Sequence, residues 1–443
     1  MPPDIGNIPT VTIFVRSTGI KFLLMSVRIL IACMAMSTGI SLFAGEEQSA
    51  TPENPDTGSM STRIADSKRL LSDKGVTLQF SYIGESLANV SGGYRQGAVY
   101  KGAVNIGISF DLDKLTGWKG GTFFASSMFT HGGSLTNEYV HNFNDVSSID
   151  TYDSLRLYEL WFQQKFAGDK ASLRIGLLAA DSEFFVSDYS GVFINSAFGT
   201  TPVVASQNFN APFVPLTPPG IRLRVDATPS LSFLAGVYSG DTGQPNGNNQ
   251  HGTRISFDGN DGALFLYEAD YRVNQQEKSE GLTGTYKLCG FYQTSFFPDN
   301  DGRGNEHGDY GFCVIVDQQL WQPDKTDRTK GIGVFSHIGA APADRNPVSF
   351  YLDAGVNCKG LIPSREKDTF GLAMNWTRLS NQLRDGSGAP VQTHHETTIE
   401  ATYQAVINDW LSFQPDFQYI INPGGTTPAR NATVLGARFT VTF

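Results

Sequence analysis

The amino-acid sequence predicts an all-β fold: a transmembrane, antiparallel, up-and-down β-barrel of about 16 strands with a short N-terminal extension. Three observations predict it. Long segments alternate between apolar and polar side chains, which is the strand pattern. The 443 residues include 47 glycines and 12% aromatics but only 17% charged residues, whereas soluble proteins carry roughly 25% charged residues. The N-terminus also has the character of an export signal.

A secretory leader is expected at residues 1–44. Basic residues precede an apolar run from Ile29 to Phe43, and polar sequence follows, which is the order of regions in a signal peptide. Met25 is an alternative start that leaves a compact signal. Lipidation at Cys33 is a less favoured reading, because Arg28 interrupts the apolar sequence before it. An uncleaved anchor helix is also less favoured, because spanning a membrane needs about 20 apolar residues.

Residues 45–75 form the predicted N-terminal extension, which we expect to be periplasmic. They are polar and contain prolines, with one short helical pattern at Ile64–Leu71. Period-two alternation begins at Val76, and no Pro/Ser-rich linker divides the chain after that point. We therefore predict one large barrel over residues 76–443.

The alternation is clearest near the end of the chain. In Glu396–Ile407 the even positions as far as Gln404 are polar, while most odd positions are apolar or aromatic. The final run places Leu435, Phe439, Val441 and Phe443 on one face. Hydrocarbon offers no hydrogen-bond partners, so a strand can cross a membrane only within a closed sheet. Strands of about 9–11 residues with one apolar face meet that requirement.

The strand-like runs number about 16, and their connections tend to alternate between long and short. The first two runs are separated by about twenty residues in this reading. The connections at 131–154 and 179–219 are long, whereas 113–120 and 167–170 are short. The predicted runs are 76–83, 103–112, 121–130, 155–166, 171–178, 220–226, 230–238, 263–273, 281–294, 309–321, 330–337, 349–356, 369–376, 396–407, 410–420 and 432–443.

Composition and motifs argue against several function classes. The net charge of −10 makes the chain a poor nucleic-acid binder. The sequence contains no nucleophile elbow, phosphate-binding loop or zinc-protease motif. The Asp299–Gly304 segment begins like a calcium loop, but Arg303 occupies an expected ligand position. We therefore predict a protein that is not an enzyme and that needs no cofactor or metal.

Short motifs spread over Gly75–Phe443 are specific as a set. They are Asp111–Leu115, Gly117–Gly121, Arg156–Gln164, Gly360–Pro363 with Arg365 and Asp368, Thr398–Tyr403, Trp410–Leu411, Gln414–Ile420 and Asn422–Gly425. This set resembles the carbohydrate-selective porin (OprB) family. The resemblance implies a barrel in the outer membrane of a Gram-negative bacterium that passes glucose and other monosaccharides down their gradient. Ser364 and three cysteines after the leader depart from the family pattern.

The connection 179–219 is the expected constriction loop, since porins fold an external loop at this place into the lumen. It is too apolar for a freely solvated loop. Packing against the inner wall without touching solute is the alternative reading. Its phenylalanines are Phe184, Phe185, Phe193, Phe198, Phe209 and Phe213.

The pore-lining candidates are chosen by strand parity, which means the odd or even position of a residue along a strand and therefore the face of the sheet on which its side chain lies. Planar hydrogen-bonding groups and aromatic faces suit sugars, and pore selectivity depends on lining donors, acceptors and diameter. Charge pairing that merely stiffens the wall is the alternative for any one of them. The candidates are Glu159, Trp161, Arg222, Arg224, Glu268, Glu396, Glu400 and Gln418, with Asp270, Arg272 and Asp416 on the same parity.

Cys289 and Cys313 are expected on adjacent strands with inward parity, so a cross-strand disulfide is predicted if their Cα atoms lie within about 7 Å. Further expected partners are outer-membrane lipid, lipopolysaccharide and the barrel assembly machinery, which would recognise Phe443. Two alternatives to a sugar channel remain open: a general, weakly selective porin, and a barrel enzyme such as a lipase.

Overall fold

Sixteen antiparallel strands close into one barrel in the described part of the chain. A computed structural model describes residues 60–199, 203–206, 208, 211–242, 249–255, 261–276, 279–383, 393–425 and 429–443. The predicted leader and most of the predicted extension lie outside these residues. The predicted fold class and strand number are confirmed. Among the described residues, no helix has the length and apolar character needed to cross a membrane.

Each strand pairs with its neighbours in sequence, and β1 pairs with β16 to close the barrel. The strands are β1 Val76–Gly93, β2 Gly97–Asp111, β3 Gly121–Gly132, β4 Ser154–Phe166, β5 Ala171–Leu177, β6 Pro219–Thr228, β7 Leu231–Ser239, β8 Ala263–Val273, β9 Gly284–Pro298, β10 Asn305–Trp321, β11 Gly331–Ala340, β12 Val348–Lys359, β13 Thr369–Leu379, β14 His395–Asn408, β15 Leu411–Ile421 and β16 Arg430–Thr442.

Helical segments are few and short. The longest is α1, Met60–Asp73, which precedes β1. The others are α2 Leu112–Thr116, α3 Ser196–Gly199 and α4 Val203–Ser206, a π-helical turn at Thr136–Val140, and 3₁₀ turns at Ala180–Ser182, Ser190–Val192 and Pro423–Gly425.

The two ends of the barrel differ in the length of their connections. At the end that carries Val76 and Thr442, called here the terminal rim, every connection has ten residues or fewer. The opposite end, the loop rim, carries the long connections 133–153, 178–218, 240–262 and 380–394. Such asymmetry is usual in transmembrane barrels.

The first hairpin differs from the sequence prediction. Strand β1 extends to Gly93 and β2 starts at Gly97, so only residues 94–96 connect them instead of about twenty. The segment Gly84–Gly93 is rich in small and polar residues, which obscures its periodicity. Pairing with β2 and β16 on either side nevertheless supplies its hydrogen bonds, because ladder contacts override weak strand propensity.

Burial alternates along the wall, as strand β13 illustrates. Phe370, Leu372 and Met374 are exposed, whereas Gly371 and Ala373 between them are buried. In a barrel the exposed apolar set faces outward, and the buried set faces the interior. The buried hydrophobic clusters accordingly lie where loops from the loop rim pack on the inner wall.

Candidate functional site

The connection between β5 and β6, residues 178–218, is called here the inner loop because it packs inside the barrel. Its phenylalanines are among the most buried side chains of the described residues. They divide between two clusters on the inner wall, and Phe209 lies outside the described residues. The buried members are Phe184, Phe185, Phe193, Phe198 and Phe213.

Carboxylates on the wall bind the backbone of the inner loop. Glu268 on β8 accepts a hydrogen bond of 2.6 Å from the backbone N–H of Phe185. Asp317 on β10 accepts bonds of 2.6 Å from the Ser187 hydroxyl and 3.0 Å from the Asp188 N–H. A hydrogen bond in a protein contributes about 0.5–1.5 kcal/mol net, so these carboxyl groups fasten the loop.

Further along the loop, Glu400 on β14 accepts bonds from Ile194 N–H (2.6 Å) and Asn195 N–H (3.0 Å). The Asn195 side-chain amide donates to Oε1 of Gln418 on β15 at 2.9 Å. Residues 185–195 therefore meet wall strands in the order β8, β10, β14 and β15. The loop follows the inner circumference of the barrel.

A second connection, residues 133–153, also enters the barrel. Glu396 on β14 accepts hydrogen bonds from Phe143 N–H (2.7 Å), Asn144 N–H (2.9 Å) and Gly424 N–H (2.7 Å). One carboxylate thereby joins two loops to the wall. The backbone bond from Ser148 N–H to the carbonyl of Ile194, 2.8 Å, ties this connection to the inner loop.

These contacts involve Glu268, Glu396, Glu400 and Gln418, which strand parity predicts to line the pore. Their contact with solute stays a prediction, and these four residues are 3%, 0%, 0% and 0% exposed. Loop N–H groups and, at Glu268, the wall residue Lys287 already donate hydrogen bonds to their acceptor atoms. A buried carboxylate requires such partners, and the loops supply them.

Inward glycines on the wall make room for the inner loop. A methyl group at Gly371 on β13 would lie 2.8 Å from the ring of Phe193, and one at Gly339 on β11 would lie 2.5 Å from a Val204 methyl group. Both distances are shorter than real carbon contacts, so any larger residue would push the loop away. These glycines are a signal that strand parity alone does not capture.

A second group of charges surrounds Glu183 of the inner loop. Arg222 on β6 is 1% exposed and holds both carboxylate oxygens of Glu183 at 2.6 and 2.7 Å. Arg174 on β5 lies 3.3 Å from the same carboxylate, and its guanidinium stacks 3.9 Å above the Trp161 ring. Trp161 donates to Glu159 at 3.1 Å. The structure thus brings Glu159, Trp161 and Arg222 together.

Arg174 is a member of this cluster that is absent from the residues predicted from sequence, although its inward parity on a short strand could have identified it. Arg224, in contrast, lies apart from the cluster. Its guanidinium pairs with Asp226 at 3.1 Å, and Arg272 reaches the same carboxylate at 3.5 Å. This group stiffens the wall.

Asp181 at the start of the inner loop has an unusual environment. Its carboxylate accepts a hydrogen bond of 2.8 Å from Val214 N–H, which joins the two ends of the loop. Burial raises the pKa of Asp181 to about 6, because removal from water disfavours the charged form. Protonation of this carboxyl therefore falls within an accessible pH range.

A cavity of about 460 Å³ lies between the inner loop and the terminal rim and is called here the vestibule. Neutral amides and hydroxyls are the most numerous polar side chains of its lining, which also includes charged side chains of both signs and the half-buried ring of Tyr189 on one side. Within the described residues, the side chains of Asp188, Lys359 and Gln404 form no hydrogen bond or ion pair. The remaining polar lining comprises Gln275, Thr283, Thr285, Asp317, Gln319, Arg328, Thr329, Lys330, Asn357 and Thr369.

Cys289 on β9 and Cys313 on β10 are directly opposite in the sheet register. Their Sγ atoms are 2.8 Å apart, both residues are buried, and both are free thiols in this structure. The disulfide between them stays a prediction. Among the described residues, no group of three or more His, Cys, Asp or Glu side chains is arranged to hold a metal ion.

Comparisons with known proteins agree with this architecture. Residues 95–443 match the description "carbohydrate-selective porin, OprB family". Porin B of Pseudomonas aeruginosa is 26% identical over 415 residues, which cover 84% of this chain and 88% of the relative.

Solved structures of Pseudomonas putida OprB share the fold. The structure determined at high pH superposes with a TM-score of 0.78 at 23% identity, covering 87% of this chain and 98% of the other. The structure at low pH gives a TM-score of 0.55 at 19% identity, with the same coverage of both chains. The chain belongs to the OprB family of carbohydrate-selective porins and is an outer-membrane channel of a Gram-negative bacterium for passive diffusion of carbohydrates.

Proposed function

We propose that the channel carries glucose and other monosaccharides into the periplasm and has no catalytic role. In this proposal the loop rim faces the cell exterior, and the terminal rim faces the periplasm. The short connections at the terminal rim support this orientation, since periplasmic turns are short and extracellular loops are longer. The leader at residues 1–44 directs export, and the extension at 45–75 stays in the periplasm.

The observation that carries the proposal is the chemistry of the vestibule. Most of its polar lining groups are neutral amides and hydroxyls, which can exchange hydrogen bonds with sugar hydroxyls, and the charged groups among them are of both signs. Gln404 and Lys359 have no partner among the described residues, and the Tyr189 ring offers an aromatic face. Several weak contacts suit a channel, because a solute must also leave.

The proposed solute contacts are therefore Asp188, Tyr189, Lys359 and Gln404. Trp161 and Glu159 lie higher along the path, and their half-buried side chains extend the same chemistry. Arg222, Arg224, Glu268, Glu396, Glu400 and Gln418 act indirectly in this proposal, by fixing the loops and the wall that shape the pore.

Replacing Tyr189 or Gln404 by Leu tests the vestibule. A lost neutral hydrogen bond is worth about 1 kcal/mol, so glucose flux into liposomes should fall by about fivefold, while flux of an amino acid of similar size stays constant. Tyr271→Leu is the matched control, because Tyr271 is 54% exposed on the outer face. Equal glucose flux in all variants would remove the vestibule from the pathway.

Two partners complete the proposal. Outer-membrane lipid and lipopolysaccharide would surround the outward apolar band. The barrel assembly machinery would read Phe443, whose backbone pairs with Phe80 at 2.9 and 3.2 Å and whose ring stacks on Trp410. Deleting Phe443 should reduce the amount of folded barrel in the outer membrane, measured by heat-dependent gel mobility, and leave folding in detergent unchanged.

A general, weakly selective porin is the alternative. The chain's acidity is compatible with it. Comparing the flux of glucose, a disaccharide and an amino acid of similar size separates the two, since a general porin passes similar-sized solutes at similar rates.

A further inference from the structure

The barrel wall is incomplete beside β4. Strand β5 has only seven residues, and its pairing with β4 begins at Leu160 and Leu177. The first part of β4, residues 154–159, therefore has no β5 partner. The chain leaves the wall at residue 178 to enter the inner loop, so a gap remains at the loop rim.

A segment of the β7–β8 connection covers this gap. Residues 249–255, called here the strap, lie along the free edge of β4. The carbonyl of His251 accepts a hydrogen bond of 2.9 Å from Leu157 N–H, and its ring Nδ1 lies 2.7 Å from the Leu155 carbonyl. The Gln250 side chain donates to the Asp153 carbonyl at 3.3 Å. The strap thus replaces the missing strand.

Below the strap, the outer surface of the barrel forms a groove of about 640 Å³. This volume is in the range of sites that hold small molecules. Its walls are aliphatic: Ile175, Ile221, Val237 and Ile255 are 50%, 46%, 44% and 53% exposed. None of the described residues that line it is charged. An apolar, concave surface of this kind disfavours water and polar ligands.

We infer that this groove binds one acyl chain of lipopolysaccharide. The groove is continuous with the outward apolar band, which lies against acyl chains in an outer-membrane barrel. Its position at the loop rim places it in the outer leaflet, and this step rests on the orientation given under the proposed function. Arg254, exposed on the strap beside Ile255, would meet a lipid phosphate, since guanidinium pairs strongly with phosphate.

Retention of lipid after detergent exchange tests the inference. Protein purified from outer membranes is washed, and bound lipopolysaccharide and phospholipid are quantified by mass spectrometry. The wild type should retain about one lipopolysaccharide per chain. Ile255→Asp should reduce retention by about tenfold, because an unpaired carboxylate against an acyl chain is costly. Ile255 lies on an exposed loop, so this variant should fold.

Val237→Trp is a second variant, which fills the groove without adding charge and should also lose the lipid. Leu372→Trp, on the outward face of β13 and 44% exposed, is the matched control and should retain it. Equal retention in all four proteins, or retention of phospholipid alone, would overturn the inference.

Glucose flux measured on the same preparations keeps the two proposals separate. Loss of lipopolysaccharide with unchanged glucose flux supports the groove and leaves the transport proposal intact. Absence of glucose flux in every preparation would refute the transport proposal, and the lipid measurement would still decide the groove.

Discussion

Replacing Glu400 by Ala should release the part of the inner loop that it holds. Glu400 is fully buried and accepts hydrogen bonds of 2.6 and 3.0 Å from the N–H groups of Ile194 and Asn195. Each buried N–H left without a partner costs about 1–3 kcal/mol. The two together should therefore weaken docking of this segment by about 2–6 kcal/mol.

Hydrogen exchange measured by mass spectrometry reports this change directly. A loss of 2 kcal/mol corresponds to a factor of about 30 in the open population, so amides of residues 192–197 should exchange at least about 30-fold faster. Glu400→Gln keeps one acceptor oxygen and should lie between the variant and the wild type. Flux of a disaccharide should rise as the loop loosens.

Glu366→Ala is the matched control, since Glu366 lies in a terminal-rim turn and its side chain is 67% exposed. It should leave exchange of the inner loop unchanged. If Glu400→Ala left the exchange of residues 192–197 at the wild-type rate, the view that wall carboxylates fasten the loop would be refuted.

Three further predictions follow from buried groups. Arg222→Ala should lower the free energy of unfolding by about 3–5 kcal/mol, because breaking a buried ion pair leaves Glu183 with fewer partners. The midpoint of thermal unfolding in detergent measures this loss of stability, and an unchanged midpoint would contradict the prediction. Folding raises the pKa of Asp181 to about 6 from about 3.9 in the unfolded chain, so the folded state favours the protonated carboxyl. The stability that this protonation contributes is fully present below about pH 4 and is lost as the pH rises through about 6. Asp181→Asn should therefore flatten the pH dependence of inner-loop exchange between pH 4 and 7, after correction for intrinsic rates, and an unaltered dependence would exclude this carboxyl as its source. If Cys289 and Cys313 form a disulfide in oxidised protein, the number of thiols that react with a maleimide in denaturant should increase by two after reduction. An equal number before and after reduction would exclude the disulfide.

The barrel was predictable from sequence because its determinants are local. Side-chain direction in a strand has a period of two, so the sequence alone indicates which residues of a strand such as β13 form its apolar outward face. The prediction deviated most where small residues hid the pattern, as in Gly84–Gly93 of β1, where pairing with both neighbours decides the conformation.

The function of the inward side chains was not predictable in the same way. Parity selects Glu268 and Glu400 as inward-facing, but their partners are backbone N–H groups in a loop far away in sequence. No local pattern specifies where residues 185–195 will run. The inward glycines Gly339 and Gly371, which make room for that loop, show the path only once the structure is known.

Flux through liposomes containing the purified protein tests the central claim most directly. The solutes are glucose, a disaccharide and an amino acid of similar size to glucose. A carbohydrate-selective channel whose vestibule is rich in hydrogen-bonding amides and hydroxyls predicts that glucose enters faster than the amino acid and the disaccharide. Equal rates for glucose and the amino acid would contradict sugar selectivity.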